Sequence, residues 1–461
     1  MHAMKSSHFK SSSDVYGQWV SGVLFPLHER IKRHTSVSIR EALERTQWLS
    51  SPEITQLQLD RLRRLLVHAQ KYVPFYRDLF ARINFAPEKI TVLSELEVLP
   101  LLDKQVIRTY LEALKSTNAK GLARFNTGGS SGEPLVFYIG RERVSHDIAA
   151  KWRATRWWGV DIGDPEIVVW GSPIELNAQG GLRVWRDRLF RTTLLPAFEM
   201  SDTKVAGFIE TIRRIRPKML FGYPSAISHI AAHADRAGIV LNDLGIRVAF
   251  VTSERLYDNQ RKQISKTFGC PVANGYGGRD AGFIAHECPA GGMHITAEDI
   301  IVEIVDTGGR VLPTGEAGEI VVTHLATSDF PFIRYRTGDI GVLDDKTCSC
   351  GRGLPLLREI QGRSTDFVVA RDGTVMHGLA LIYILREMPH IKAFKIIQES
   401  LDLTHIMVVA DGALNEVDRE RIIAGFQSRL GRDVSIEVEQ IAKIAAEKSG
   451  KFRYIISKVV P

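Results

Sequence analysis

Within the stretch from Ile54 to Tyr76, the apolar residues Leu62, Leu65, Leu66 and Ala69 recur at i, i+3, i+4 and i+7. That spacing brings side chains to one face of an α-helix. Pro74 lacks the amide hydrogen a continuing helix needs, so the helix is expected to stop near it. Beyond residue 120 the pattern changes. Short β-rich runs such as Ile167-Val168-Val169-Trp170 and Val248-Ala249-Phe250-Val251 alternate with helical stretches such as Val205 to Arg214, which predicts an α/β fold with buried strands. From Ile300 to Thr323, closely spaced strands surround Asp306-Thr307-Gly308-Gly309, the chemistry of a hairpin turn. An antiparallel subdomain is therefore expected after the main sheets.

A second unit begins near Gly362-Arg363-Ser364-Thr365-Asp366. Phe367 to Val369 and Thr374 to Met376 flank Asp372-Gly373 as a hairpin, and Leu379 to Met388 reads as a helix. Two strands follow, Ile391 to Gln398 and Leu403 to Ala410, then a helix from Glu416 to Leu430 and a strand from Val434 to Val438. About a hundred residues suffice for an independent α/β domain. The expected division is 1–361 as a large N-terminal domain and 362–461 as a small C-terminal one.

Composition narrows the classes of function. The 461 residues are 44% hydrophobic and 25% charged, values of an ordinary globular protein. No apolar run approaches the roughly eighteen residues of a membrane span. The first thirteen residues are polar and Ser-rich, without the apolar core of a secretory signal, so a cytoplasmic location is expected. The net charge of +7 comes from Lys and Arg scattered along the chain. Scatter argues against nucleic acid, and the excess suits small anionic ligands. Four cysteines, two of them in Cys348-Ser349-Cys350, do not make a disulfide framework.

The chemistry is concentrated in a few segments. In Thr127-Gly128-Gly129-Ser130-Ser131-Gly132, followed by Glu133-Pro134, three glycines allow close backbone approach to an anion while hydroxyls and N–H groups surround it. The same letters also make an ordinary Gly/Ser turn. The Gly-Lys-Ser/Thr ending of the common P-loop is missing. Cys288, His294, Cys348 and Cys350 offer one imidazole and three thiolates, the donor set of a closed structural zinc site. Buried free cysteines are the alternative, and His286 is a reserve ligand. Phe221, Tyr223, Ser253 and Glu254 follow strands, where open α/β sheets bind ligands; core packing is an equal reading of Phe221. Trp152, Trp157 and Trp158 read as scaffold.

Taken in order, these segments resemble the adenylate-forming ligases, the family that includes phenylacetate–coenzyme A ligases and their capsule-biosynthesis relatives. The resemblance implies a large adenylate-forming domain with a small mobile C-terminal domain. By it, the loop from Thr127 to Gly132 meets ATP phosphates. Asn274-Gly275-Tyr276-Gly277-Gly278-Arg279-Asp280 looks like the family's aromatic-Gly segment, making Tyr276 the adenine platform, with Gly277 beside it, and Asp280 the magnesium ligand. The family usually has Glu where Asp280 stands. Tyr335-Arg336-Thr337-Gly338-Asp339 is similar to the segment whose carboxylate, here Asp339, accepts from the ribose hydroxyls.

Gly362-Arg363-Ser364-Thr365-Asp366 resembles the hinge, with Arg363 near ribose and phosphate. Thr365 is the pivot, where relatives often carry Asp or Lys. Lys448-Ser449-Gly450-Lys451 looks like the Gly-Lys element, making Lys451 the catalytic lysine. Similar Cys-x-Cys-Gly-Arg segments in some relatives accompany a structural metal.

The implied activity is ATP-dependent activation of a small-molecule carboxylate to an acyl-adenylate, then transfer to coenzyme A. Transfer to an amine or hydroxyl, and nucleotide binding without catalysis, are the alternatives. ATP, Mg²⁺, structural Zn²⁺ and coenzyme A are the implied cofactors and co-substrates.

Overall fold

The computed structural model describes residues 14–126, 135–170, 181–197, 202–363, 367–372, 375–377, 379–388, 390–444 and 455–459. The expected amphipathic helix is present and stops where Pro74 requires. Ser51–Tyr72 ends before Pro74, and Pro74 then occupies the first turn of a second helix, Pro74–Arg82, the one helical position where a missing N–H costs nothing. Ile54, Leu62, Leu65, Leu66 and Ala69 are buried along one face, as the periodicity requires. The Glu53 carboxylate accepts from the Ser50 N–H at 2.8 Å, satisfying a backbone donor at the helix start.

A short ribbon, β1 (Ala123–Asn126) paired with β2 (Val136–Ile139), precedes the main sheet. Five parallel strands come next: β3 (Glu166–Trp170), β4 (Thr192–Pro196), β5 (Met219–Gly222), β6 (Val248–Thr252) and β7 (Val272–Gly278). β5 and β6 are buried throughout, because helices cover both faces of a parallel sheet. Antiparallel strands follow: β8 (Gly282–Glu287), β9 (Met293–Ile295), β10 (Ile300–Val305), β11 (Ala317–His324), β12 (Tyr335–Asp344) and β13 (Leu356–Arg363).

The expected antiparallel subdomain is not a separate sheet. Among the described residues, eleven strands form one sheet in the order β10-β11-β12-β13-β9-β8-β7-β6-β5-β3-β4. The pairing of Leu356 in β13 with His294 in β9 closes the junction. The Asp306 turn is present, with the carboxylate accepting from Gly308 and Arg310 N–H groups at 2.8 and 3.0 Å.

After β13 the strands make separate small sheets. β14 (Phe367–Val369) pairs with β15 (Val375–His377). β16 (Ile391–Gln398), β17 (Leu403–Ala410), β18 (Ser435–Gln440) and β19 (Ile455–Ser457) form a four-stranded sheet in the order β18-β17-β16-β19. The helices Leu379–Arg386 and Glu416–Leu430 contribute Leu381, Leu385, Ile422 and Phe426 to a core with Ile396, Ile406 and Val408. Among the described residues, no helix is long and apolar enough to cross a membrane.

Charged groups are buried where the N-terminal helices meet the sheet. Arg153 and Glu298, exposed by 1% and 0%, pair at 2.6 Å, and Thr46 donates to the same carboxylate at 3.0 Å. Arg61 and His146 both reach Asp299. Glu298→Ala leaves the Arg153 charge buried without its carboxylate and is expected to cost about 3–5 kcal/mol. A thermal unfolding midpoint equal to that of the parent protein would contradict this.

Two buried imidazoles make stability pH-dependent. Burial, reinforced by the Arg153 charge, pushes His286 down to about 3. Burial and then Arg143 push His324 down to about 4, against the pull of Asp147. Both titrate near 6.5 when unfolded, so the unfolded chain binds more protons below that pH. Their contribution is complete above about pH 6.5 and is lost as pH falls through the folded values, by about 1.4 kcal/mol per pH unit per group. His286→Leu is expected to flatten the stability profile between pH 6.5 and 4. Superimposable acid-unfolding curves would show that His286 does not titrate on unfolding.

Candidate nucleotide site and metal centre

The parallel strands end on one edge of the sheet, and there the segments separated in sequence converge. β7 carries Tyr276 near its end, and β12 carries Asp339. The Tyr276 hydroxyl donates to Asp339 Oδ2 at 2.9 Å. A Cβ at Gly277 would lie 2.2 Å from the Gly282 carbonyl oxygen, so the β7–β8 crossing demands glycine beside the aromatic ring.

The intervening turn holds Asp280. Its Oδ2 accepts from the Tyr335 hydroxyl at 2.7 Å and its Oδ1 from the Ala281 N–H at 3.1 Å. Behind the turn, buried Arg143 donates to the Arg279 and Asp280 carbonyls, at 3.3 Å each, while its Nε pairs with Asp147. Each carboxylate oxygen of Asp280 keeps acceptor capacity beyond these bonds. One carboxylate together with substrate phosphates is the donor set Mg²⁺ ordinarily takes.

Asp339 is shaped by its own segment. Gly338 has φ +78°, a conformation that favours glycine, and the Asp339 N–H donates to Thr337 Oγ1 at 3.1 Å. Arg336 is committed to Glu319. Across the strands, Asp339 is the backbone partner of Arg363, which brings these two sequence-predicted residues side by side. The side chain of Arg363, and residues Thr127, Gly128, Gly129, Ser130, Ser131, Gly132, Thr365 and Lys451, lie outside what is described.

The base of the glycine-rich segment is nevertheless located, because that segment joins β1 to β2. Phe137 of β2 packs edge-on against Phe332, 5.7 Å between ring centres, and Phe332 against Tyr335 at 5.1 Å. An aromatic chain therefore runs from the loop's base to the hydroxyl that holds Asp280. Tyr335 and Arg143 escaped the sequence reading. Tyr335 adjoins a recognised segment and offered a signal, whereas a buried arginine in the helix Arg141–Trp157 offered none.

On the neighbouring strand ends, Thr252 pairs with Gly275, which sets Ser253 level with Tyr276. Ser253 has φ +70°, and Glu254 accepts from the Ser225 N–H at 3.2 Å, at the start of the helix Pro224–Arg236. Tyr223 stacks on Trp170 with ring centres 4.3 Å apart, and burial followed by the Glu254 charge pushes its phenol up. Phe221 is core, stacked between Trp170 and Phe250. Lys151 Nζ stands 3.8 Å from its ring centre.

The sulfur and nitrogen cluster forms at the other end of β8. Ligand atoms of Cys288, His294, Cys348 and Cys350 all lie within 4.8 Å of one another. Cys288 and Cys348 sulfurs are 3.6 Å apart, and Cys350 Sγ is 3.2 Å from His294 Nε2. Tetrahedral zinc–thiolate bonds place sulfurs about 3.8 Å apart, so the donors fit. His294 Nδ1 is 3.3 Å from the Leu354 carbonyl; donating there fixes the tautomer that turns a bare Nε2 toward the thiols.

Burial raises the Cys288 thiol to about 12. At Cys350 burial acts in the same sense, but hydrogen bonds and charge from Arg352 outweigh it and hold the thiol below its ordinary value. A Cβ on Gly292 would sit 2.6 Å from Cys348 Sγ. The reserve ligand His286 is not in the cluster. Its ring stacks on Phe283 at 5.5 Å, in the core.

Residues 190–327 match the AMP-binding enzyme family, and residues 368–458 match the CapK C-terminal domain. Protein CapK of Staphylococcus aureus is 24% identical over 454 residues, covering 95% of this chain and 96% of that protein. The phenylacetate–coenzyme A ligase of Pseudomonas putida is 29% identical over 343 residues, 73% of this chain and 76% of the ligase. The crystal structure of 2-hydroxyisobutyryl-CoA ligase in its postadenylation state superposes with a TM-score of 0.71 at 22% identity, covering 90% of this chain and 92% of that one. With both family matches lying in order along a single chain, and full-length similarity alongside them, this protein belongs to the adenylate-forming ligases, in the branch that holds CapK and the phenylacetate–coenzyme A ligases.

Proposed function

We infer that the chain activates a carboxylic acid with ATP and passes the acyl group to the thiol of coenzyme A. The observation that carries this reading is the 2.9 Å contact between Tyr276 and Asp339, with Asp280 fixed beside them by Tyr335. Adenine platform, ribose acceptor and metal carboxylate then share one sheet edge.

In the first half-reaction a carboxylate oxygen bonds to the α-phosphorus and the bond to pyrophosphate breaks. In the second, the thiol sulfur bonds to the acyl carbon and AMP leaves. Both reactants of the first step are anionic, so positive charge at the α-phosphate is the principal need. Lys451 supplies it, and Asp280 would hold a Mg²⁺ whose charge offsets that of the phosphates. Residues 1–361 form the adenylating domain and 362–461 the small domain that carries Lys451. The hinge at Thr365, next to Arg363, turns the small domain between half-reactions. Thr127 to Gly132 embrace the phosphates, and Tyr223, Ser253 and Glu254 border the acyl pocket. A reduced cytoplasm suits both the thiol substrate and the cysteine cluster.

Pyrophosphate release over a panel of carboxylates, with and without coenzyme A, tests the reading. Lys451→Ala is expected to lower the rate of pyrophosphate release by roughly 10²–10³. Asp339→Ala removes a charged acceptor worth about 1.5–3 kcal/mol and is expected to raise KM for ATP roughly ten- to a hundredfold. Release of pyrophosphate by neither parent nor variant on any acid would leave nucleotide binding without catalysis. Similarity to CapK over 95% of the chain favours a second reading, transfer to an amine or hydroxyl. Acid-dependent pyrophosphate release that coenzyme A does not accelerate would select it.

Zinc held by Cys288, His294, Cys348 and Cys350 completes the proposal, as a structural ion with no open coordination position. Purified protein is expected to carry about one equivalent of zinc, and Cys350→Ser to lower the thermal midpoint while leaving KM for ATP unchanged. Zinc below about half an equivalent, with a midpoint indifferent to chelation, would remove the metal from the account.

A further inference from the structure

The N-terminal helical segment presents an apolar stripe that nothing in the described fold covers. Val15, Trp19, Val23, Leu27 and Ile31 stand four residues apart, each between 47% and 80% exposed. In a regular α-helix four-residue steps drift by about 40° each, so such a stripe would wind away from its starting face. The segment is not regular. Val15–Trp19 and Phe25–Ile31 are α-helical, but Val20–Leu24 between them is a π-helix, whose wider turn winds less per residue and takes back part of the drift. The opposite side is anchored: Val20 and Phe25 are buried, with Phe25 edge-on to Trp152 and Phe190.

A second helix extends the surface. Val184, Trp185 and Leu189 of Gly181–Leu189 are 54%, 67% and 42% exposed. The two helices are joined by the Tyr16 hydroxyl, which donates to the Leu189 carbonyl at 3.0 Å, and by the Asp14–Arg191 ion pair. An exposed patch of this kind, with tryptophan on both helices, marks an interaction surface. Its surroundings are basic. Arg30, Lys32, Arg33 and Arg188 are exposed beside it, while the adjacent acids Asp14 and Asp187 are engaged by Arg191 and Arg186.

We propose that this face docks the protein on an anionic lipid surface, with the helical segment lying in the plane of the interface. Tryptophans, aliphatic side chains and flanking cations are the chemistry of an in-plane amphipathic anchor. Charge selects this occupant over a second copy of the chain: the rim carries four exposed cations and its adjacent acids are already paired, so bringing two such faces together adds like charge while an anionic surface complements it. The surface is separate from the nucleotide residues and adds location to the activity.

The test uses the full chain and sedimentation with vesicles of roughly three parts phosphatidylcholine to one part phosphatidylglycerol, against phosphatidylcholine alone. The parent protein is expected to partition onto the anionic vesicles, less at high salt, with a blue shift of tryptophan emission. Leu27→Glu and Trp185→Glu together are expected to weaken partitioning at least tenfold at an unchanged thermal midpoint. Absence of vesicle binding, binding indifferent to these substitutions, or a dimer in sedimentation equilibrium that the substitutions dissociate would each overturn the proposal.

Discussion

Arg143 is the constraint on which the placement of Asp280 depends. A buried guanidinium must spend its donors, and this one spends them on two carbonyls of the β7–β8 turn and on Asp147. The turn is thereby fixed from beneath, while Tyr335 fixes it from above through Asp280. The placement of Asp280 is thus set by a helix and by β12 together. A carboxylate on a free turn would sample many positions, and the entropy of ordering it would fall on ligand binding. Here folding has already met that cost.

Strand direction links this turn to the cysteine cluster. β8 leaves the Asp280 turn and arrives at Cys288, and β13 leaves the cluster beside Leu354 and arrives at Arg363 opposite Asp339. At about 3.3 Å per residue, the two sites lie roughly 20 Å apart at opposite ends of the same strands. A metal held at the far ends would fix the register of β8, β9 and β13, where the β9–β13 pairing is the single couple Leu356–His294. The cluster is also tied to the N-terminal helices. Gln47 Oε1 accepts from Trp157 Nε1 at 2.8 Å and from Arg352 Nε at 3.1 Å, and Trp157 packs edge-on against His294.

Local patterns were legible in the sequence, and nonlocal pairings were not. Ile391–Gln398, Leu403–Ala410 and Glu416–Leu430 have the boundaries their alternation and turns imply. The union of parallel and antiparallel strands in one sheet was hidden, since strand order records contacts distant in sequence. β19 was missed because three residues carry too little pattern. Tyr276 and Asp339 are 63 positions apart, so resemblance to a family, and not spacing, named them together. The cysteine cluster was readable because its donor set is chemically unusual. His286 was a poor reserve ligand for a reason the sequence withholds: it alternates on β8 to the face that packs against Phe250 and Phe283.

The missed strand bears on how the small sheet is held together. β19 begins four residues after Lys451 and pairs in parallel with β16, at the edge of the small sheet. Ser457 adds to that pairing: its hydroxyl donates to Gln398 Oε1 at 2.9 Å. Gln398 also exchanges hydrogen bonds with both backbone groups of Val369 in β14. One buried amide therefore ties β19 to the β14–β15 hairpin. One side chain thus holds β14, β16 and β19 to a common core, and strands far apart in sequence become a single packed unit.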